Sequence, residues 1–186
     1  MNCAQRPEPT SYFDATPDVS GFTIVELIAV LLLLGILATT ATSRMVSANA
    51  YAPALVCDQL IALGRLAQQT ALTRQDAMVS LDVDQDAGAW RLRVQVASGA
   101  GTTTAREERA EIRNTGVVVI NGAQTASLGP SAALRLTFDG LGNLNTGAVA
   151  ATNLNTSVGV GISVTGDTAA SVCIGSAGYA FRGACS

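Results

Sequence analysis

Residues 21–41 read GFTIVELIAVLLLLGILATTA, and this stretch decides the class of the protein. Residues 22–41 are twenty residues long, and their only charged side chain is that of Glu26. A helix of about 20 apolar residues spans the hydrocarbon core of a bilayer. Three interpretations follow: a cleaved secretory signal, a plain membrane anchor, or a segment whose function requires Glu26.

The carboxylate of Glu26 favours the third interpretation. A charged side chain in an apolar span costs roughly 2.5 kcal/mol or more at the middle of the helix, and less near an end. An acidic side chain in the first turn is also stabilised by the helix dipole. An intramembrane charge of this kind indicates a function, so Glu26 is a candidate functional residue.

The residues outside this stretch limit the possible chemistry. All eleven basic residues of the 186-residue chain are arginines, since the sequence contains neither lysine nor histidine, and the net charge is −3. Serine or cysteine nucleophiles paired with histidine, lysine Schiff bases and the phosphate-loop lysine are therefore excluded. We expect a structural or binding protein without a cofactor, and not an enzyme.

The hexapeptide Gly21-Phe22-Thr23-Ile24-Val25-Glu26, followed directly by an apolar run, resembles the type III signal sequence of type IV prepilins and type II secretion pseudopilins. The resemblance implies that a membrane peptidase cleaves after Gly21 and N-methylates Phe22. It also implies that Glu26 neutralises the N-terminal amine of a neighbouring subunit during filament assembly. An unpaired charge of either sign is costly among apolar helices, which agrees with such pairing.

The segment after residue 41 predicts a helix followed by short strands. An apolar stripe at helical spacing predicts an amphipathic helix over roughly residues 54–75. The stripe consists of Val56, Leu60, Leu63, Ala67 and Ala71. Pro53 fits either the first turn of this helix or a bend in one longer helix. Gly64 costs about 1 kcal/mol relative to alanine in a helix, so we expect a close packing contact there.

Apolar and polar residues alternate over residues 77–83 and 90–96, which predicts a hairpin with its turn at residues 84–88. Residues 97–113 are rich in glycine, threonine and charge, and we expect a mobile loop. Further strands are predicted at residues 117–120, 134–138, 158–164, 172–174 and 179–182. A helix followed by many short strands indicates an α+β fold, with the helix lying on an antiparallel sheet.

The later segments extend the resemblance. Residues 57–84, the hairpin and the strand–turn–strand pattern ending at Cys185 are similar to minor pilins of the H-type pseudopilin, FimT and FimU, and haemagglutinin-pilus C kinds. This implies a structural minor subunit of a type II secretion pseudopilus or a type IV pilus, with a role in protein secretion. Its implied partners are other pilins or pseudopilins in a helical filament, prepilin peptidase and an inner-membrane assembly platform.

This reading divides the chain into four segments. Residues 1–21 form a leader that is removed, and residues 22–41 form a transmembrane and filament-core helix. Residues 42–76 continue the helix in the periplasm, and residues 77–186 form a β-rich globular domain. The resemblance implies a single-pass protein of the bacterial inner membrane whose C-terminal domain lies in the periplasm.

The cysteines predict no zinc site, because they lack C-x-x-C spacing and histidine partners. The four are Cys3, Cys57, Cys173 and Cys185. A disulfide between Cys173 and Cys185 closes a short turn and suits an exported chain. The alternative is that each cysteine is a small buried hydrophobic residue.

Two further patterns are weak. Asp82-x-Asp84-x-Asp86 resembles the start of a calcium loop, but Ala87 and Arg93 occupy positions that need glycine and glutamate. We therefore expect a solvated hairpin turn without a metal.

Some FimT-like subunits bind DNA in natural transformation through a Gly-Arg-x-Arg motif, which is the alternative function. Residues 178–182 read GYAFR and lack the first arginine of that motif. Arg91, Arg93 and Arg182 form a small basic patch only if the strand order brings them together. Without residues 1–21 the chain carries ten arginines and eleven acids, which is far from a basic footprint.

Overall fold

The structure is a computed structural model that describes residues 22–110 and 115–185, without the side chains of residues 39–49. The leader, with Gly21 and Cys3, lies outside the described residues. The chain divides into two compact units, residues 1–42 and 43–186.

A single helix, α1 (Ile24–Thr73), contains 50 residues and includes Pro53 in its interior. Of the two interpretations of Pro53, the one with a longer helix is confirmed. The helix ends at Thr73, slightly before the predicted end near residue 75.

Within the described part of the chain, no helix is long and apolar enough to cross a membrane.

In the first unit, the described side chains from Phe22 to Ala38 are all exposed. Among the large apolar ones, the exposed fraction runs from 46% at Val30 to 81% at Ile24. A helix that is apolar on all sides is normally covered by other protein or by lipid.

The second unit contains two antiparallel sheets. The strands of the first sheet are β1 (Met78–Asp86), β2 (Ala89–Ser98), β3 (Gly101–Ala110), β6 (Leu134–Phe138), β7 (Leu144–Val149) and β8 (Thr152–Asn153). Those of the second are β4 (Gly116–Asn121), β5 (Gln124–Ser127), β9 (Val160–Thr165), β10 (Ala169–Ile174) and β11 (Ala180–Arg182). The strand orders are β3-β2-β1-β6-β7-β8 and β11-β10-β9-β4-β5.

The helix and the sheets share one hydrophobic core. All five residues of the predicted helical stripe are buried, with exposed fractions of 3% or less. A Cβ built at Gly64 would lie 2.9 Å from the Cβ of Ala180 in β11. The helix therefore approaches the second sheet closely at Gly64, as the sequence predicts. The α+β class is confirmed, although two sheets replace the single sheet expected.

The predicted hairpin is confirmed, and its turn is tighter than expected. Asp86 pairs with Ala89, so the turn consists of Ala87 and Gly88 alone. Both have positive φ, 49° and 82°. Two positive φ angles are typical of the two-residue turn whose twist matches that of the flanking strands. Asp84 and Asp86 therefore belong to β1, and not to the turn predicted at residues 84–88.

The loop predicted at residues 97–113 is wrong for most of its length. Residues 101–110 form β3, which pairs along its length with β2 at the edge of the first sheet. Most of its side chains are exposed on both faces, so no apolar alternation marks it in the sequence. Residues 111–114 lie outside the description.

Three other strands, β5, β7 and β8, are also absent from the prediction. β5 and β8 are short and polar, and β7 contains Gly147 among small residues. Val158, predicted to lie in a strand, belongs to a short 3₁₀ helix at Thr156–Val158.

Candidate functional site

The N-terminus of α1 is capped by two reciprocal hydrogen bonds between Thr23 and Glu26. The backbone N–H of Glu26 donates to Oγ1 of Thr23 over 3.2 Å. The backbone N–H of Thr23 donates to Oε2 of Glu26 over 3.4 Å. This arrangement is a capping box, in which each side chain satisfies a backbone donor that the helix leaves without a partner.

The capping box fixes where the Glu26 carboxylate lies. It is held at the positive end of the helix dipole, beside the amide of Thr23. The backbone nitrogen of Phe22 is one residue away from that amide. The capping role of Thr23 was not predicted, although its T-x-x-E spacing to Glu26 is the sequence signature of a capping box.

The aspartates of the calcium-like pattern bind arginines on the face of the first sheet. Arg135 donates to Asp82, and Arg91 and Arg93 donate to Asp84. These hydrogen bonds, with the nearby negative charges, raise the pKa of Arg91 and Arg135. Among the described residues, no group of three histidine, cysteine, aspartate or glutamate side chains could hold a metal ion.

The three arginines that would form a basic patch if the strand order brought them together are divided between the sheets. Arg91 and Arg93 lie in β2 of the first sheet, whereas Arg182 lies in β11 of the second. Arg182 donates to Oδ1 of Asp58 over 2.5 Å and to the carbonyl oxygen of Ala54 over 3.4 Å. The hydrogen bond to Asp58 raises the pKa of Arg182. The strand order therefore does not bring the three arginines together on one sheet, and each of them pairs with a carboxylate.

The three cysteines within the described residues form one disulfide and leave one buried thiol. Cys173 is bonded to Cys185, with their Cα atoms 5.1 Å apart. Cys57 is a free, buried thiol on α1. Burial raises its pKa to about 11, because the thiolate loses its hydration inside the protein. Of the two interpretations of Cys173 and Cys185, the structure contains the disulfide.

Comparison with known proteins identifies one short match. Residues 17–42 match the prokaryotic N-terminal methylation motif, which includes Gly21, Phe22 and Glu26. Neither curated proteins nor solved structures give a match to this chain. The motif is of the prepilin type and supports a type IV pilin-like chain that is processed by prepilin peptidase and assembles with other pilins.

Proposed function

We propose that this chain is a structural minor subunit of a type IV pilus or a type II secretion pseudopilus, and not an enzyme. The observation that carries the proposal is the position of Glu26. It is the only charged residue between Phe22 and Ala41, and it lies in the first turn of α1, inside the matched methylation motif.

The chemistry of assembly follows from this position. Cleavage after Gly21 creates an ammonium group at Phe22 in an apolar environment, where it requires a negative partner. The Glu26 carboxylate of a neighbouring subunit is such a partner. Pairing the two charges would set the axial register between subunits, since any other register leaves both unpaired.

The exposed apolar side chains of residues 22–38 support the same role. In the proposed filament they pack against the corresponding helices of other pilins or pseudopilins. Before assembly, the twenty-residue apolar segment 22–41, whose last three side chains lie outside the description, anchors the subunit in the bacterial inner membrane by a single pass, with the second unit in the periplasm. The assembly platform of that membrane extracts the subunit, and the finished filament serves protein secretion.

Two substitutions at Glu26 test the charge pairing separately from the capping box. Glu26→Val removes both the charge and the cap, whereas Glu26→Gln removes the charge and keeps a side chain that can accept from Thr23. Both variants should insert into the membrane and be cleaved, and neither should appear in sheared filaments. Normal incorporation of Glu26→Gln would show that the charge has no part in assembly.

Mass spectrometry of the mature N-terminus tests the processing step. We expect a chain that begins with N-methylated Phe22. A mature protein that retains Met1 would contradict the proposal at its first step, whatever the behaviour of the Glu26 variants.

A further inference from the structure

Pro53 lies in the interior of α1, which continues through it without interruption. Proline has no backbone N–H, so it offers no hydrogen bond to the carbonyl group four residues earlier. Its ring also crowds that carbonyl, and a proline in a helix interior therefore usually breaks or kinks the helix. The continuity of the helix at this position requires support from elsewhere in the fold.

The second sheet supplies side-chain donors to the helix carbonyls on both sides of Pro53. Oγ1 of Thr168, in the turn between β9 and β10, donates to the carbonyl oxygen of Ala50 over 2.7 Å. Nη2 of Arg182 reaches the carbonyl oxygen of Ala54 over 3.4 Å. These donors bind carbonyl groups in the helix turns beside Pro53, where the proline weakens the hydrogen bonds of the helix.

The same turn is shaped to receive the proline ring. Pro53 is buried, and a Cβ at Gly166 would lie 3.2 Å from its Cγ. The absence of a side chain at Gly166 therefore lets the turn approach the ring. Gly166 and Thr168 are also linked to each other, since the N–H of Gly166 donates to the carbonyl oxygen of Thr168 over 2.8 Å.

We propose that Gly166, Thr168 and Arg182 form a proline clamp, a conformational device that decides whether α1 continues through Pro53 or begins there. With the clamp closed, the helix is continuous, as observed. With the clamp open, Pro53 becomes the first residue of a shorter helix, a position that proline favours because its missing N–H costs nothing there.

The two states differ only locally, because residues 56–71 keep their buried contacts with the sheets in both. The turn before Pro53 exchanges helical hydrogen bonds for contacts with water. The clamp lies at Pro53, far along α1 from Glu26. Its test therefore does not depend on whether the chain assembles into filaments.

Hydrogen exchange of the full chain in detergent micelles tests the clamp. Thr168→Val keeps the shape of the side chain and removes the donor, whereas Thr168→Ser keeps the hydroxyl group. In Thr168→Val, amides of residues 51, 52, 54 and 55 should exchange roughly twofold to tenfold faster, because a helix that begins at Pro53 leaves them without helical partners, while those of residues 60–71 stay unchanged. Thr168→Ser should behave as the wild type. Unchanged exchange in Thr168→Val, or equal acceleration along the whole helix, would overturn the proposal.

A double-mutant cycle with Pro53→Ala makes the test specific to the proline. Alanine restores the N–H donor to the carbonyl of Asn49 and removes the ring that crowds the preceding turn, so the helix should no longer depend on the bond from Thr168 to Ala50. In the Pro53→Ala background, Thr168→Val should therefore change the exchange of residues 51, 52, 54 and 55 less than twofold. Acceleration as large as in the Pro53 background would show that Thr168 stabilises the helix independently of the proline, and the proposal would be wrong.

Discussion

Arg135 donates hydrogen bonds of 2.6 and 3.3 Å to the two carboxylate oxygens of Asp82, whose side chain is only 5% exposed. The two residues are directly opposite each other on the paired strands β1 and β6. A carboxylate at this depth retains its charge at a low cost only while it keeps a cationic partner. The pair thus joins the side chains of β1 and β6 and compensates the buried charge of Asp82.

Replacing Arg135 with methionine should destabilise the fold by about 1–3 kcal/mol, because Asp82 then lacks a charged partner. The expected loss of stability is smaller than for a fully buried ion pair, because the Arg135 side chain is 63% exposed to solvent. Urea denaturation of the full chain in detergent micelles measures the change. Arg109→Met is the matched control, since its pair with Glu107 is exposed and should contribute less than about 1 kcal/mol. Equal losses in the two variants would contradict the role given to Asp82.

Asp139 should make the turn between β6 and β7 sensitive to acid. The backbone N–H of Asn143 donates to its carboxylate, with further bonds from the Asn143 side chain and the Leu141 N–H, and these lower its pKa. A lowered pKa stabilises the folded state above the ordinary aspartate pKa near 4, and this stabilisation is lost as the pH falls through the folded value. Asp139→Ala should therefore lower the melting temperature at pH 7 by more than at pH 3. A difference that is constant over this range would exclude the carboxylate as its source.

Gly64→Ala should destabilise the protein although alanine is the better helix former. Helix propensity alone predicts a gain of about 1 kcal/mol. The added Cβ would lie 2.9 Å from Cβ of Ala180, and overpacking of this kind costs about 1–3 kcal/mol. Thermal unfolding compares this variant with Gly35→Ala, where nothing lies within 4 Å of the added atom and no loss is expected. A raised melting temperature in Gly64→Ala would show that the helix and β11 move apart at little cost to accommodate the added Cβ, and would contradict the prediction.

Thiol labelling should distinguish the buried free thiol of Cys57 from the disulfide between Cys173 and Cys185. At pH 8 the Cys57 thiol is protonated, because its pKa is raised to about 11, and it is buried. A processed, folded chain should therefore take up no iodoacetamide, one equivalent after unfolding, and three after unfolding with reductant. Labelling of Cys57 in the folded chain would contradict its burial, and three labels without reductant would contradict the Cys173–Cys185 bond.

The sequence predicts those elements whose periodicity is imposed by burial. Leu60 and Leu63 follow the helical period, and Leu81 and Leu92 follow the strand period, because each has one face in the core. Strand β3 carries no such pattern, since an edge strand with two exposed faces has no burial to record. Strand β5, which lies at the edge of the second sheet and is mostly exposed, was not predicted for the same reason.

The sequence predicts the candidate site unevenly. Glu26 is apparent because a charge in an apolar run is unusual, and Thr23 could have been recognised from its spacing. The pairing of Arg182 with Asp58 could not, because it joins residues 124 positions apart and depends on how β11 lies against the helix. Local chemistry is visible in a sequence, whereas long-range pairing requires the topology.

The seam between the helix and the last strand has a consequence for the order of folding. Nε of Arg65 donates to the carbonyl oxygen of Ala180, 115 residues later in the chain. Because α1 precedes β11 in the chain, synthesis delivers its apolar stripe first, and this part of the core closes only once β11 has been made. Contacts of such long sequence separation slow folding and leave apolar surface exposed in the interval. Until β11 is in place, the apolar stripe of the newly made chain is therefore exposed to aggregation.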